Sequence, residues 1–398
     1  MRRNVLQLIG SFHQGGSERQ ALQLTRLLHT AGRYRVRVAC LNPRGVLREE
    51  AERLNLGEIS EYPLTSFHDR NALRQLRRFA AYLRRHGIDL VQTHDFYTNV
   101  FGMAGAALAR TPARVAGKRE TGGMRSGAQR AAERLAFRLA HAVLANAEAV
   151  KQHLVGEGVP GVKIVTVYNG IDAARLSPPA GFRREDALDA LGLPRESGRR
   201  FVTLVANLRH TVKDHPTFLR AARRVREHAP EAAFVLAGEG ELTAPMRELA
   251  AGLGLGDHVF FVGRCAHVAS LLAVSDVCVL SSTAEGFSNA ILEYMAAARP
   301  VVATDVGGAR EAVGEGVTGH LVAAGDDETM AARVVALLKN PARAREMGER
   351  GRQRVAERFS CKAQLRRTEA LYERLFARAQ SKPVEVAAQA GGKEDFGL

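Results

Sequence analysis

Short apolar runs alternate with amphipathic helical patterns through most of this chain. Each run has the length of a strand, and each leads through a glycine-rich or polar turn into apolar residues at helical spacing. This repeated order of strand, turn and helix predicts an α/β protein with two Rossmann-like domains facing across a cleft. The runs lie at residues 4–9, 36–40, 88–92, 113–117, 142–145 and 163–167, and then at 201–206, 233–237, 259–262, 277–280 and 300–303.

We place the domain boundaries where this alternation pauses. The first domain is expected to span residues 1–175 and the second residues 201–355, with a proline-containing connection at 176–200. A long helical pattern runs from Pro341 to Gln380, and its part at 356–380 is expected to cross back to the first domain. The tail at 381–398 lacks periodicity, so we expect it to be disordered.

The composition narrows the class of protein. The chain has 398 residues, of which 46% are hydrophobic, and this is enough apolar content for two cores. Its four cysteines lack the spacing of a zinc site, which favours a reducing compartment and no metal centre. No apolar stretch approaches the roughly 20 residues that a membrane-spanning helix needs, and the N-terminus does not resemble a signal peptide. The expected location is therefore the cytoplasm.

Positive charge is concentrated in the first part of the chain. Residues 1–150 contain 24 Lys and Arg against 12 Asp and Glu, a net charge of +12 out of +15 for the whole protein. A helix predicted at 71–86 places Leu73, Leu76, Ala80 and Leu83 on one face and arginines around the other. The basic face is either simply solvated or a contact for an anionic membrane surface. Nucleic acid is not an expected partner, because no DNA-binding spacing is found and Trp is absent. The arginines are Arg70, Arg74, Arg77, Arg78, Arg84 and Arg85.

The stretch from Glu285 to Glu293 carries the clearest candidate chemistry. It lies between two apolar runs, so Glu285 falls in a turn and Glu293 inside a helix that Ser288 is placed to cap. The backbone N–H groups from Phe287 to Ala290 form the helix N-terminus, which suits a phosphate, while the two carboxylates suit sugar hydroxyls. Taken alone, two glutamates at this spacing are more often part of a solvated surface turn.

Other candidate groups lie at the ends of predicted strands or in glycine-rich turns. The carboxyl ends of parallel strands are where α/β proteins bind their ligands. The turn after the first strand lacks the G-x-G-x-x-G spacing of a dinucleotide site, and a packed structural role is an equally good interpretation of His94. These candidates are Gly15, Gly16, His94, Arg119, Glu120, Gly238 and Glu239.

Together these features resemble the group-1 retaining glycosyltransferases, which have the GT-B fold. The resemblance extends over about residues 4–380 and is carried by four features in combination. They are Glu285 and Glu293 with Gly-Phe-Ser-Asn between them, Arg209 and Lys213 after a strand, Asn169-Gly-Ile-Asp172, and Gly15-Gly16. In that family a nucleotide-diphosphate sugar is held mainly by the second domain and transferred with retention, and neither a protein nucleophile nor a metal is obligatory.

The resemblance implies a role for each matching residue. Arg209 and Lys213 would hold the pyrophosphate and neutralise the leaving group, Glu285 would bind the hydroxyls of the donor sugar, and Glu293 those of the ribose. No metal or other cofactor would be required. The remaining donor-binding candidates are Gly15, Gly16, Gly238, Glu239, Gly286, Phe287, Ser288, Asn289 and Ala290.

The sequence departs from the family pattern at one strand end. Many members carry a histidine after the strand that corresponds to residues 113–117, near the acceptor, whereas this chain has Lys118-Arg119-Glu120. The usual role of that histidine therefore cannot be transferred to this chain. Arg119 and Glu120 are candidates to contact the acceptor or the donor phosphate, and His94, at the neighbouring strand end, is a candidate to replace the histidine in part.

The expected function is transfer of a sugar, with a UDP-sugar as the first choice of donor. The expected acceptor is a glycan or a lipid-linked precursor in cell-envelope or exopolysaccharide synthesis, at the inner face of the membrane. Two alternatives remain open at this point: a GT-B protein that binds nucleotide sugars without turnover, and a sugar-nucleotide epimerase that acts on the donor alone.

Overall fold

The computed structural model of the protein describes residues 2–67, 69–121 and 125–381. Elements are numbered in chain order. The first domain contains β1 Arg3–Ile9, α1 Gly16–Thr30, β2 Tyr34–Cys40, α2 Arg48–Glu52, β3 Ser60–Glu61, α3 Arg70–Arg85, β4 Leu90–Thr93, α4 Phe96–Leu108, β5 Ala113–Lys118, α5 Gly127–Leu139, β6 Ala142–Ala145, α6 Glu148–Gly156 and β7 Ile164–Thr166.

The connecting segment contains one helix, and the second domain repeats the alternation. The elements are α7 Arg184–Ala190, β8 Arg200–Val205, α8 His215–His228, β9 Ala232–Ala237, α9 Thr243–Gly252, β10 Val259–Gly263, α10 Val268–Val274, β11 Val277–Leu280, α11 Asn289–Ala296, β12 Val301–Thr304, α12 Ala309–Ala312, β13 Gly319–Val322, α13 Asp327–Lys339, α14 Pro341–Arg358 and α15 Cys361–Gln380. Short 3₁₀ turns lie at Gly161–Lys163, Ala173–Leu176 and Thr211–Lys213.

Both sheets are parallel and have related strand orders. The first is ordered β3-β2-β1-β4-β5-β6-β7 and the second β10-β9-β8-β11-β12-β13. In each sheet the order reverses beside the first strand, so the loops after β1 and β4, and after β8 and β11, diverge and leave a crevice at the carboxyl edge. The predicted α/β fold with two Rossmann-like domains is confirmed.

The strands are apolar because helices cover both faces of each sheet. All six residues of β9 and all four of β11 are buried, which explains their uninterrupted hydrophobic composition. Two central strands of the first sheet break this rule, since Gln7 in β1 and Gln92 in β4 are buried polar residues. A buried amide needs hydrogen-bond partners, and theirs are described below.

The two domains are joined along the rear of the cleft. The rings of Tyr168, Phe287 and Phe359 form a cluster with centroids 5.0 to 5.3 Å apart. Beside it, the carboxylate of Glu311 in α12 accepts two backbone N–H bonds from the first turn of α6, at 2.7 and 2.8 Å. A side chain of the second domain thus caps a helix of the first.

The predicted single helix from Pro341 to Gln380 is wrong, because the chain forms two helices there. The break lies at Phe359, which is buried in the aromatic cluster, and at Ser360, whose Oγ accepts from the N–H of Ala363 and starts α15. Helix α14 packs on α11, and α15 lies against the first sheet, where Tyr372 meets Tyr34 with ring centroids 5.6 Å apart. Of the predicted disordered tail, residues 382–398 lie outside the described residues.

Helix α3 is amphipathic as predicted, with one exception. Phe79, Ala80 and Leu83 are buried, but Leu73, expected on the same face, is 49% exposed. The buried stripe centres on Gln75, Phe79 and Leu83, about a third of a turn away from Leu73 at 100° per residue. Leu73 therefore lies at the border with the arginine face.

Candidate functional site

The turn from β11 to α11 lies at the carboxyl edge of the second sheet. Ser288 caps α11 by accepting from the N–H of Ile291, which confirms the predicted cap. The first amides of α11, at Asn289 and Ala290, therefore lie at the open end of a helix and carry its partial positive charge. This turn contains the predicted carboxylate Glu285.

Lys213 and Glu285 are brought together by two loops of the second domain. Lys213 Nζ lies 2.5 Å from Glu285 Oε1, and Ser282 Oγ donates to the same oxygen at 2.7 Å. The Lys213 loop is fixed in turn, because Ser281 Oγ donates to the Lys213 carbonyl and Asp214 caps α8 in a left-handed conformation. Both side chains of the pair keep some exposure, 21% and 12% respectively. The pair is therefore partly accessible from the surface.

Arg209 lies in the loop that follows β8, and its charged partner there is a different carboxylate from Glu285. Its side chain is 53% exposed, and its guanidinium lies 3.5 Å from the carboxylate of Glu239 in the neighbouring loop. The two loops approach closely, because a Cβ atom at Gly238 would lie only 1.9 Å from the carbonyl oxygen of Ala206. Glycine is required there by the space available, and the close approach places Arg209 beside Glu239.

Glu293 faces the interdomain cleft from the second turn of α11. Asn289 and Glu293 are four residues apart, so they share one face of the helix, and both line a cavity of about 680 Å³ between the domains. Burial raises the pKa of Glu293 to about 7, while Arg19 of the first domain acts in the opposite direction. The cavity is also lined by Arg19, Gln20, Arg264, Cys265, Ala266 and His267.

The predicted glycine turn of the first domain meets α11 across the cleft. Gly15 is the residue before α1 and Gly16 its first residue. Asn289 Nδ2 donates to the Gly16 carbonyl at 3.4 Å, and a Cβ at Gly16 would lie 3.3 Å from the same nitrogen. The glycine turn therefore closes over the N-terminal end of α11.

Arg119 and His94 lie together at the carboxyl edge of the first sheet. Arg119 Nη2 is 3.4 Å from His94 Nδ1, and Arg119 Nη1 donates to Asn169 Oδ1 at 2.8 Å. Burial lowers the pKa of Arg119 to about 10, although the carboxylates of Asp95 and Glu18 act to raise it. Burial and the neighbouring Arg119 charge lower the pKa of His94 well below its usual value, so the imidazole is neutral.

Glu120 points away from this pair into a separate ion cluster. It contacts Arg125 directly and lies 3.9 Å from Lys118 Nζ. Lys118 and Glu133 are buried partners at 3.1 Å, and Arg125 completes the cluster by contacting Glu133. Of the three residues that replace the expected histidine, Arg119 alone contacts His94 and Asn169 among the described residues.

The turn after Glu285 touches the first domain directly. A Cβ atom at Gly286 would lie 1.9 Å from the Arg119 carbonyl oxygen, so no larger residue fits between the two backbones. Thr121 Oγ1 donates to the Glu285 carbonyl at 2.6 Å. Further back, Asn169 Nδ2 donates to the Phe287 carbonyl and to Asn289 Oδ1, at 3.1 and 2.8 Å. These contacts join the turn and helix that contain Glu285 and Asn289 to Arg119 and Asn169 of the first domain, whereas Glu120 lies outside them.

Two family models match this chain, one in each half. Residues 14–175 match the model described as glycosyltransferase family 4, and residues 192–354 match the model described as glycosyl transferases group 1. The chain belongs to the group-1 glycosyltransferases. The resemblance carried by the sequence motifs is confirmed, and these family models cover the two domains separately.

Curated relatives share this group-1 glycosyltransferase sequence over part of their length. A putative glycosyltransferase, EpsD of Bacillus subtilis, is 36% identical over 190 residues, which cover 48% of this chain and 46% of that protein. The lipopolysaccharide core biosynthesis mannosyltransferase LpsB of Rhizobium meliloti is 30% identical over 216 residues, which cover 52% of this chain and 60% of that protein. The match therefore spans about half of the length of these relatives.

A solved structure matches over nearly the whole chain. Anabaena Alr3699/HepE, crystallised in complex with UDP, superposes with a TM-score of 0.81 at 20% identity, covering 94% of this chain and 100% of that one. At this identity the likeness shows the fold, which is GT-B, as the sequence motifs implied.

Several residues at this group-1 glycosyltransferase cleft were not among the sequence candidates. Asp95 and Glu18 lie near Arg119, and burial raises the pKa of both carboxyls. The loop from Arg264 to His267 lines the cavity opposite Glu293. Only Asp95 gave a usable signal, since it follows His94 at a strand end, while the others join the site through tertiary contacts.

Neither a metal-binding cluster nor a membrane-spanning helix is found among the described residues. Within residues 2–67, 69–121 and 125–381, no group of three or more His, Cys, Asp or Glu side chains is arranged to hold a metal ion. Over the same residues, none of the helices combines the length and the apolar composition needed to cross a membrane.

Proposed function

We propose that this protein transfers a hexosyl group with retention from a nucleotide-diphosphate sugar to a hydroxyl of a glycan or lipid-linked acceptor. The donor is bound by the second domain, and UDP-sugars are the first candidates. The curated relatives named above include a lipopolysaccharide core mannosyltransferase, which supports an acceptor in cell-envelope polysaccharide synthesis.

In this proposal, each part of the nucleotide sugar is bound by a different group of the second domain. Lys213 and Arg209 neutralise the diphosphate, which also contacts the first amides of α11. Glu285 exchanges its contact with Lys213 for hydroxyls of the donor sugar. Glu293 accepts the ribose hydroxyls, and the Arg264–His267 loop covers the base. Because Lys213 and Arg209 supply positive charge at the leaving group, we propose that no metal is required.

The observation that carries this proposal is the position of Glu285, Asn289 and Glu293 on one turn and helix. Glu285 contacts a cation, Asn289 begins the helix, and Glu293 lines the interdomain cavity. A cation, an open helix end and a cavity carboxylate in this order match the order of sugar, diphosphate and ribose along a nucleotide sugar.

A thermal-shift panel of UDP-, GDP- and ADP-sugars tests this proposal. A ligand that binds only the folded protein raises its melting temperature, and a ligand at 100 times its Kd stabilises by about 2.7 kcal/mol. We expect one nucleotide class to raise the melting temperature, with and without EDTA. If no class shifts the melting temperature at millimolar concentration, donor binding is refuted.

We further propose that the first domain works at an anionic membrane surface. The exposed arginines of α3 form no ion pair with any described residue, and the same holds for Arg130, Arg134 and Arg138 of α5. Helix α4 packs between these two helices. Exposed apolar side chains lie on α3, α4 and α5 as well, so the same three helices offer both basic and apolar groups to a membrane surface. They are Leu73, Tyr97, Leu108 and Leu135.

Co-sedimentation with anionic vesicles at low and high salt tests the membrane proposal. We expect binding at low salt that weakens at high salt, because the Debye length falls from about 10 Å at 0.1 M to about 3 Å at 1 M. Arg74→Glu with Arg77→Glu should abolish binding. The matched control carries the same charge change on the second domain, at the exposed Arg223 and Arg345, and should still bind. If the wild type does not bind the vesicles at low salt, the membrane proposal is refuted, and the acceptor must then diffuse freely in solution.

A further inference from the structure

A chain of buried polar side chains runs through the first domain to Arg119. Tyr372 of α15 is fully buried, and its hydroxyl donates to Gln92 Oε1 at 2.6 Å and accepts from Gln7 Nε2 at 3.0 Å. Gln7 Oε1 lies 2.8 Å from His94 Nε2. His94 Nδ1 then faces Arg119 Nη2 at 3.4 Å. Four residues thus connect the last helix to the cleft.

The polarity of this chain is fixed by its first link. Because Gln7 donates its amide N–H to Tyr372, its oxygen must face His94, and His94 must carry its proton on Nε2. The Nδ1 atom then has a free lone pair, which can only accept. A guanidinium N–H is the matching donor, so the tautomer of His94 favours Arg119 in its observed position.

Arg119 occupies a junction between the two domains and is not fully satisfied there. Its Nη1 donates to Asn169, which in turn donates to the Phe287 carbonyl and to Asn289 at the start of α11. Its Nε atom is buried without a hydrogen-bond partner among the described residues. A buried unpaired donor on a cation indicates an anionic or polar ligand that completes the site.

We propose that Tyr372, Gln7 and His94 are positioning residues that hold Arg119 at the cleft, where its guanidinium stabilises the diphosphate leaving group from the first-domain side. This inference rests on the proposed function, because the diphosphate is the ligand assigned to the start of α11. His94 does not act as a base here, since both of its ring nitrogens are occupied and its side chain is only 2% exposed. The reacting centre then receives a third cation besides Lys213 and Arg209.

Tyr34 provides a matched control for Tyr372. The two rings pack against each other, and both residues are buried, but the Tyr34 hydroxyl donates to Glu373 Oε1 at 2.8 Å, outside the polar chain. Tyr372→Phe and Tyr34→Phe each remove one hydroxyl from the same aromatic pair. A merely structural effect of losing a hydroxyl should appear in both variants.

The first test is a double-mutant cycle on turnover with the donor identified by the nucleotide panel. We expect Arg119→Ala to lower kcat on the order of 10²-fold, and Tyr372→Phe roughly tenfold with little change in the donor KM. Tyr34→Phe should stay within about twofold of the wild type. In the Arg119→Ala background, Tyr372→Phe should have almost no further effect on kcat, because its effect acts through Arg119. An equal loss with and without Arg119 would overturn the proposal.

The second test needs no catalytic activity. Nitrogen-15 NMR of His94 should show the proton on Nε2 in the wild type and in Tyr34→Phe. In Tyr372→Phe the Gln7 amide is free to turn, so a population with the proton on Nδ1 should appear. An unchanged tautomer in Tyr372→Phe, or Nδ1 protonation in the wild type, would overturn the polar chain. If no nucleotide sugar binds the wild type, the proposed function fails, and this measurement still decides whether Tyr372 controls His94.

Discussion

Lys213 and Glu285 meet across one short contact within the second domain, whereas Arg119 in the first domain contacts His94 and Asn169 directly and, through His94, the buried side chains of Gln7 and Tyr372. In the proposed function, Lys213 and Glu285, on the wall of the cleft that the second domain forms, exchange partners when a ligand arrives. The first-domain wall presents a cation that is fixed before the ligand arrives. The proposed function therefore divides ligand binding and preorganisation between the two domains.

Loss of the Lys213 charge is expected to have the largest effect. We expect Lys213→Ala to lower kcat on the order of 10²-fold or more, because the leaving group loses a direct cation and Glu285 loses its partner. The control is Lys339→Ala, which removes one charge from an exposed position on α13 of the same domain. Turnover near the wild-type rate in Lys213→Ala would show that Lys213 does not stabilise the leaving group.

The pH dependence of nucleotide binding tests the cavity end of the second-domain wall. Burial raises the pKa of Glu293 from its usual value of 4.5 to about 7, so the carboxylate that we propose to accept the ribose hydroxyls is fully formed only above pH 7. UDP affinity should fall by up to about tenfold per pH unit below 7. Glu293 affects folding stability with the opposite dependence on pH, because the folded state binds the proton more tightly than the unfolded state does. Its contribution to the free energy of unfolding is present below pH 4.5 and is lost as the pH rises through about 7.

Glu293→Gln should remove most of this pH dependence and weaken UDP binding, as titration calorimetry at pH 6, 7 and 8 would show. Glu248→Gln, at an exposed position on α9, serves as the control and should behave like the wild type. A wild-type affinity that does not change between pH 6 and 8 would place the ribose elsewhere.

The contact behind the cleft is expected to give the smallest effect. Glu311→Gln weakens a charge-assisted cap that joins the second domain to α6 of the first, so we expect a loss of about 1 kcal/mol in the free energy of unfolding. Turnover should fall less than threefold, since neither wall is altered. The control is Asp326→Asn, which changes a cap inside the second domain. A loss of turnover comparable to that of Lys213→Ala would show that the rear contact sets the geometry of both walls.

The difference between the two walls of the cleft also explains which of its residues could be predicted from the sequence. Glu285, Ser288 and Glu293 lie within one strand–turn–helix unit, so their spacing carries the geometry of the second-domain wall. Gln7 and Tyr372 are 365 positions apart, and their hydrogen bond exists only after α15 has packed on the first sheet. Local pattern cannot reveal such a contact, which is why His94 could not be separated into a catalytic or a structural residue from sequence.

The fold was predictable to a similar extent. Alternating apolar runs gave both parallel sheets, because strands covered on two faces must be continuously hydrophobic. The break at Phe359 and Ser360 was missed, because the burial of Phe359 comes from the rings of Tyr168 and Phe287, both distant in sequence. The exposure of Leu73 was missed for a smaller reason, as it lies at the border of a helical stripe.

A crystal structure of the protein with its nucleotide-diphosphate sugar, or with UDP, tests the central assignment most directly. We expect diphosphate oxygens within hydrogen-bond distance of Lys213 Nζ and of the amides of Asn289 and Ala290, with the ribose hydroxyls on Glu293. A diphosphate bound away from these groups, with the Lys213–Glu285 contact unchanged, would contradict it.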